Sequence, residues 1–242
     1  MAGGMNVRST CNVFWSVASL RSKLPETQRL VPSLVEALNL FSALDFEEQQ
    51  LANVVWSCAV LRLPRNQTDA LLPLLAEAIF MRMDVMKPQH LANIIWATAV
   101  MKHNAPELLD VMPLMLSANA AQSLELFTGQ ELAISCWGLA LCNFQDRDFM
   151  NKVAAETAHR CPSLSNKAAE LDLPQIACSF AKGNIHHEAM LEAIAKRMLP
   201  LLKTMNDWGL CALSWSYTML DTDGCFLDFQ DQVHAEVAKR SL

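Results

Sequence analysis

The chain has a single tyrosine and only seven glycines in 242 residues. Both fit an all-helical chain and argue against a β sandwich. Although 52% of the residues are hydrophobic, no uncharged apolar run reaches the roughly eighteen residues of a membrane span, so no membrane partner is expected. The eight cysteines include no CxxC pair and no Cys/His spacing of a zinc site. There is no Gly-rich phosphate loop, no GxSxG elbow, no HExxH and no GKS or GKT. His186 and His187 are adjacent, about 100° apart on a helix, and cannot share a metal. Asp221 and Asp223 form a turn with Gly224 and read as solvated. No catalysis, metal or cofactor is expected. Met1–Arg8 holds neither an apolar h-region nor an Arg/Ser-rich leader, so no targeting signal is legible there.

What the chain does have is repetition. The segment Leu51-Ala52-Asn53-Val54-Val55-Trp56-Ser57-Cys58-Ala59-Val60-Leu61 returns, altered, from Thr10, Leu91, Leu132, Leu173 and Leu210. The spacings are 41, 40, 41, 41 and 37 residues. A period near forty with helically spaced apolar residues predicts an all-α fold, a right-handed α-solenoid of about six helix-pair repeats. One continuous array over 1–242 is expected, with units at about 5–45, 46–85, 86–126, 127–167, 168–205 and 206–242. The first repeat begins so near Met1 that the chain reads as a fragment of a longer array.

In each unit, helix A carries the repeated segment and an amphipathic helix B follows. The B helices are expected at Leu30–Leu44, Asp69–Met83, Pro106–Leu116, Asp148–His159, His187–Leu202 and Phe226–Arg240. Pro32, Pro73 and Pro113 each lie 22 residues after the start of their segment, either opening helix B or kinking it. Phe46, Met86 and Phe127 precede their segments by five residues, as a hydrophobic staple does, and Thr128 with Glu131 has capping-box spacing. Cys11, Cys58, Cys136, Cys178 and Cys211 fall inside the segment as small apolar filler, which fits a reducing compartment.

With the first residue of the segment numbered zero, positions 0, 1, 4, 5 and 8 share an arc of about 140°. Tryptophan stands at position 5, so it is expected against the core, where Trp56→Ala or Trp96→Ala would cost about 3–5 kcal/mol. The stripe left over comprises positions −1, 2 and 6. In the first three units it holds Ser9, Asn12 and Ser16; Gln50, Asn53 and Ser57; and His90, Asn93 and Ala97. Amides donate and accept, which suits the edge of an unpaired base, and small neighbours leave room for it. They equally suit a ladder between repeats. Position 11 adds Arg21, Arg62 and Lys102, placed to meet phosphates or to answer a helix dipole.

The pattern Leu-Ala-Asn-φ-φ-Trp-Ser/Ala-x-Ala-φ-Leu/Met (φ apolar) resembles the repeats of octotricopeptide repeat proteins and the leucine-rich helical region of the FAST-kinase-domain family. Leu51–Leu61 and Leu91–Met101 carry the likeness most closely. The resemblance implies non-catalytic binding of single-stranded RNA in processing, stability or translation of transcripts in a mitochondrion or plastid. Nothing after Leu220 resembles the RAP domain many such proteins carry, and no PPPEW-type signature is present.

Charge divides the chain. Residues 1–103 carry net +1 and residues 104–242 net −7. RNA contact is therefore expected at Asn12, Asn53, Asn93, Gln50, His90, Ser16, Ser57, Arg21, Arg62 and Lys102. The acidic remainder fits a different reading, an armadillo- or HEAT-type scaffold holding a basic protein partner.

Overall fold

The computed structural model describes residues 4–120, 124–143 and 146–240. Parts of the expected repeats at 1–3, 121–123, 144–145 and 241–242 lie outside the described residues. The described residues are helical and contain no strand; thirteen α-helices pack against their neighbours.

In chain order these are α1 (Val7–Leu20), α2 (Val31–Leu38), α3 (Glu48–Leu61), α4 (Arg65–Thr68), α5 (Leu71–Arg82), α6 (Pro88–Met101) and α7 (Pro106–Ala120). Then follow α8 (Gly129–Leu141), α9 (Arg147–Arg160), α10 (Asn166–Lys182), α11 (Glu188–Met198), α12 (Asp207–Leu220) and α13 (Leu227–Lys239). The repeated segments form α1, α3, α6, α8, α10 and α12, and the expected B helices correspond to α2, α5, α7, α9, α11 and α13.

Two compact units emerge, Met1–Ser123 and Leu124–Leu242, each with three helix pairs. In the first, α3 packs between α1 and α6, while α5 packs on α7 and α2 on α1. In the second, α10 packs between α8 and α12, α11 packs on α9, and α13 on α12. A helices thus touch A helices of the adjoining repeat more than they touch their own partners.

Local chemistry accounts for the helix starts. Thr128 and Glu131 form the reciprocal capping box at α8, and Glu47 with Gln50 forms one at α3. Pro88 opens α6. Phe46, Met86 and Phe127 are buried where a staple belongs. Pro32 and Pro73 fall in the first turn of α2 and α5, where no intrahelical N–H is lost. Pro113 differs because α7 begins seven residues ahead of it, so it stands inside the helix.

A further device is not periodic in the sequence. Each of the five B-to-A links contains a short 3-10 turn: Ala43–Asp45, Met83–Val85, Leu124–Leu126, Cys161–Ser163 and Leu199–Leu201. An arginine at the end of a B helix reaches the turn that precedes its own A helix. Arg82 donates to Leu44 O, and Arg160 to Leu124 O and Phe127 O. Arg197 donates to Leu164 O, and Arg240 to Leu202, Lys203 and Met205 O. Carbonyls left over at these turns are thereby satisfied by a charged donor, and both ends of the pair are tied together.

All eight cysteines are free thiols. Burial pushes the Cys11, Cys58 and Cys136 thiols up to about 12, so they stay protonated filler. Cys211, expected as filler, is instead exposed on α12. It faces no following A helix among the described residues.

Candidate nucleic-acid interface

The exposed arc of the A helices differs from the one the helical wheel predicts. Positions 6, 3, 7, 0, 4, 8 and 1 are buried in α3 and α6, an arc from about 240° through zero to about 100°. What stays open is the narrow arc of positions 2, 5 and 9, near 140–200°. The physical reason is lateral packing: α3 is flanked on both sides by A helices and is backed by a B helix. Small residues at position 6 and at positions 1 and 8 lie on opposite flanks, where they let helices approach closely.

Tryptophan therefore lies at the rim of the core, not inside it. Trp15 and Trp215 are 44% and 43% exposed, while Trp56, Trp96 and Trp137 are half-buried. The indole rings of Trp15 and Trp56 are 6.5 Å apart and inclined at 38°. The expected cost of 3–5 kcal/mol for Trp56→Ala or Trp96→Ala is corrected downward accordingly, since a half-exposed ring leaves no closed cavity.

Asn12 is exposed, and Asn53 and Asn93 are half-buried beside these rings. None of the three amides makes a hydrogen bond within the described residues. The ladder between repeats is therefore absent. The open face of this unit runs Asn12 and Trp15 on α1, Asn53 and Trp56 on α3, and Asn93 and Trp96 on α6, one amide and one indole three residues apart per repeat.

Other expected contacts serve the helices instead. Ser57 is fully buried and its hydroxyl donates to Asn53 O at 2.6 Å; Ser16 donates to Asn12 O at 2.8 Å. Ser179 and Ser216 repeat that bond to the carbonyl four residues back. The space expected for a base beside the asparagines is thus the packed flank of the helix. Gln50 is buried, accepting from Glu47 N and donating to Glu47 Oε2. His90 is half-buried with its Nδ1 unpartnered, and burial lowers its pKa, which keeps the ring neutral at pH 7.

Position 11 has its own structural task. Arg62, Asn143 and Asn184 occupy it in three units, and all three are left-handed, with φ of 53°, 55° and 50°. Around Arg62, its own N–H bonds Ala59 O and the Leu63 N–H bonds Cys58 O, which is a Schellman ending. Asn184 and Ile185 do the same onto Ala181 and Phe180. Arg21 instead turns its guanidinium onto Ala18 O at the end of α1. Arg62 is exposed and its guanidinium makes no hydrogen bond or ion pair among the described residues, and Lys102 is half-buried. The asparagines at 143 and 184 were the signal that this position stops a helix.

The second unit has a different surface. A groove of about 650 Å³ crosses the beginnings of α8, α10 and α12, lined by Gln130, Ile134, Lys167, Leu171, Asp172, Gln175 and Trp208 among others. Asp172 is 8% exposed, and burial pushes its carboxyl up to about 6. Asp221, expected to be solvated, is half-buried and accepts from Cys225 N, Phe226 N and Gln230 Nε2, which orders the turn into α13. Among the described residues no three His, Cys, Asp or Glu side chains converge to hold a metal, and no helix is long and apolar enough to cross a membrane.

Sequence comparison assigns no family. No protein-family model matches the chain, and no curated protein sequence matches it. The functional reading therefore rests on the geometry.

Proposed function

We propose that the chain is a non-catalytic single-stranded RNA-binding protein built as a right-handed α-solenoid, with residues 4–120 supplying the binding face. The observation that carries this reading is the row of unpartnered amides beside indoles at the rim of the core, Trp15 exposed and Trp56 and Trp96 half-buried, one pair on each of α1, α3 and α6. Bases stack on indole faces at about 1–3 kcal/mol each, and an unpaired amide meets a base edge with one donor and one acceptor. Arg62, extended from a helix end without a partner, supplies a phosphate contact of the kind that positions a strand. Residues 1–103, with net +1, do not repel the backbone. The repeat pattern's likeness to octotricopeptide and FAST-kinase-domain repeats supports a role in organelle RNA processing, stability or translation.

Fluorescence anisotropy with labelled single-stranded oligonucleotides tests this. Binding should weaken as salt rises. Asn53→Ala with Asn93→Ala, and separately Trp56→Ala with Trp96→Ala, should each reduce affinity. The asparagine pair should leave the melting temperature nearly unchanged. Equal affinity in both double variants would contradict the assignment of this face.

A further inference from the structure

We infer that the groove across α8, α10 and α12 is a docking site for the guanidinium of an arginine on a protein partner, with Asp172 as its counter-ion. Asp172 is 8% exposed as a residue and lines an open groove, into which its carboxylate opens, and no hydrogen bond to that carboxylate is made within the described residues. A partly desolvated carboxylate with no donor of its own, open to a groove, gains from a cationic donor that enters the groove. Gly129 is part of the construction. A Cβ there would lie 2.7 Å from Asp172 Oδ2, so only glycine at this first residue of α8 leaves the carboxylate its position.

The surroundings favour a cation on an aliphatic stem over a nucleotide. Leu171 and Trp208 stand half-exposed on the groove, giving an apolar strip for methylenes and an indole face for a planar cation. Gln175 adds an amide acceptor beside the acid. Residues 124–242 carry net −5, which attracts a basic segment and repels a phosphate backbone. Lys167 is the one basic residue lining the groove. Guanidinium suits the site better than ammonium because its planar fork matches a carboxylate and stacks on an indole. The groove shares no residue with the asparagine–tryptophan face, so either assignment can fail alone.

The test is titration of the full chain with a fluorescein-labelled hexa-arginine peptide, a hexa-lysine peptide and a single-stranded RNA oligomer. Hexa-arginine should bind more tightly than hexa-lysine. Asp172→Asn, close to isosteric, should weaken hexa-arginine at least about tenfold, as loss of one member of a buried ion pair does. Trp208→Ala, at a half-exposed position that leaves the fold intact, should weaken it about two- to fivefold. RNA affinity should be unchanged in both. Three results would overturn the assignment. One is hexa-arginine binding that is absent, or indifferent to Asp172→Asn. The second is equal affinity for the two peptides. The third is loss of RNA affinity, not peptide affinity, in the Asp172 variant, which would make the groove a base-reading site.

Discussion

Trp15 on α1 and Trp56 on α3 present neighbouring indoles, 6.5 Å between centroids, on the open side of the helical layer. Trp15 is 44% exposed and Trp56 half-buried, so both rings are held in part by packing and keep part of their surface open. Such a half-held aromatic is rigid at low entropic cost, which suits a stacking platform.

Two aromatic residues one position apart on α1 should differ sharply. Phe14 is fully buried and Trp15 is 44% exposed. Phe14→Ala is expected to cost about 3–5 kcal/mol and Trp15→Ala no more than about 2. Urea denaturation of both variants measures this, and equal losses would return tryptophan to the core.

Arg62 is held at a φ of 53° that favours glycine or asparagine. Arg62→Gly should stabilise the fold by about 0.5–1 kcal/mol in thermal unfolding. The same variant should bind RNA less tightly and with a shallower salt dependence if the guanidinium meets a phosphate. A destabilised variant would contradict the left-handed helix ending.

The arginine that closes the last pair makes an independent check. Arg240 donates to three backbone carbonyls and pairs with Glu236 at 2.8 Å and Asp207 at 3.2 Å. Arg240→Met keeps the stem and removes the charge, and should lower the melting temperature through the orphaned carbonyls. Unchanged unfolding would show that the turn is satisfied by water.

Asp172 gives a pH signature of known sign. Its folded carboxyl is raised to about 6 from 3.8, so the folded chain holds its proton after the unfolded chain has released it. Its contribution is therefore most favourable below about pH 4, declines as pH rises to about 6, and stays lost above that. Lys167 is the other charged residue lining the same groove and moderates the effect. Asp172→Asn should be more stable than the parent by about 1–2 kcal/mol at pH 7, after solvent screening of a carboxylate open to the groove, and about equal at pH 4, by denaturant unfolding.

The helices, their order and several of their ends were legible in the residues themselves. Phe46, Met86, Phe127, Pro88 and the Thr128–Glu131 box all act as their spacing implied. Periodicity fixes which residues share a face, but not on how many sides that helix is covered. The wheel therefore placed tryptophan inward and Ser57 outward, whereas flanking A helices bury Ser57 and leave the indole at the rim. The arginine ties were invisible because Arg82, Arg160, Arg197 and Arg240 fall 31, 28, 24 and 30 residues into their repeats, out of register. Asp172 was hidden differently, in the same column as Gln50 and His90. Only its burial without a donor sets it apart.

The most direct measurement is photo-crosslinking of the full chain to a 4-thiouridine-substituted single-stranded RNA, with the attached peptides mapped by mass spectrometry. Crosslinks should concentrate on the α1, α3 and α6 peptides, at Trp15, Trp56 and Trp96. Crosslinks confined to the B helices α2, α5 and α7, or none above background at low salt, would contradict the account.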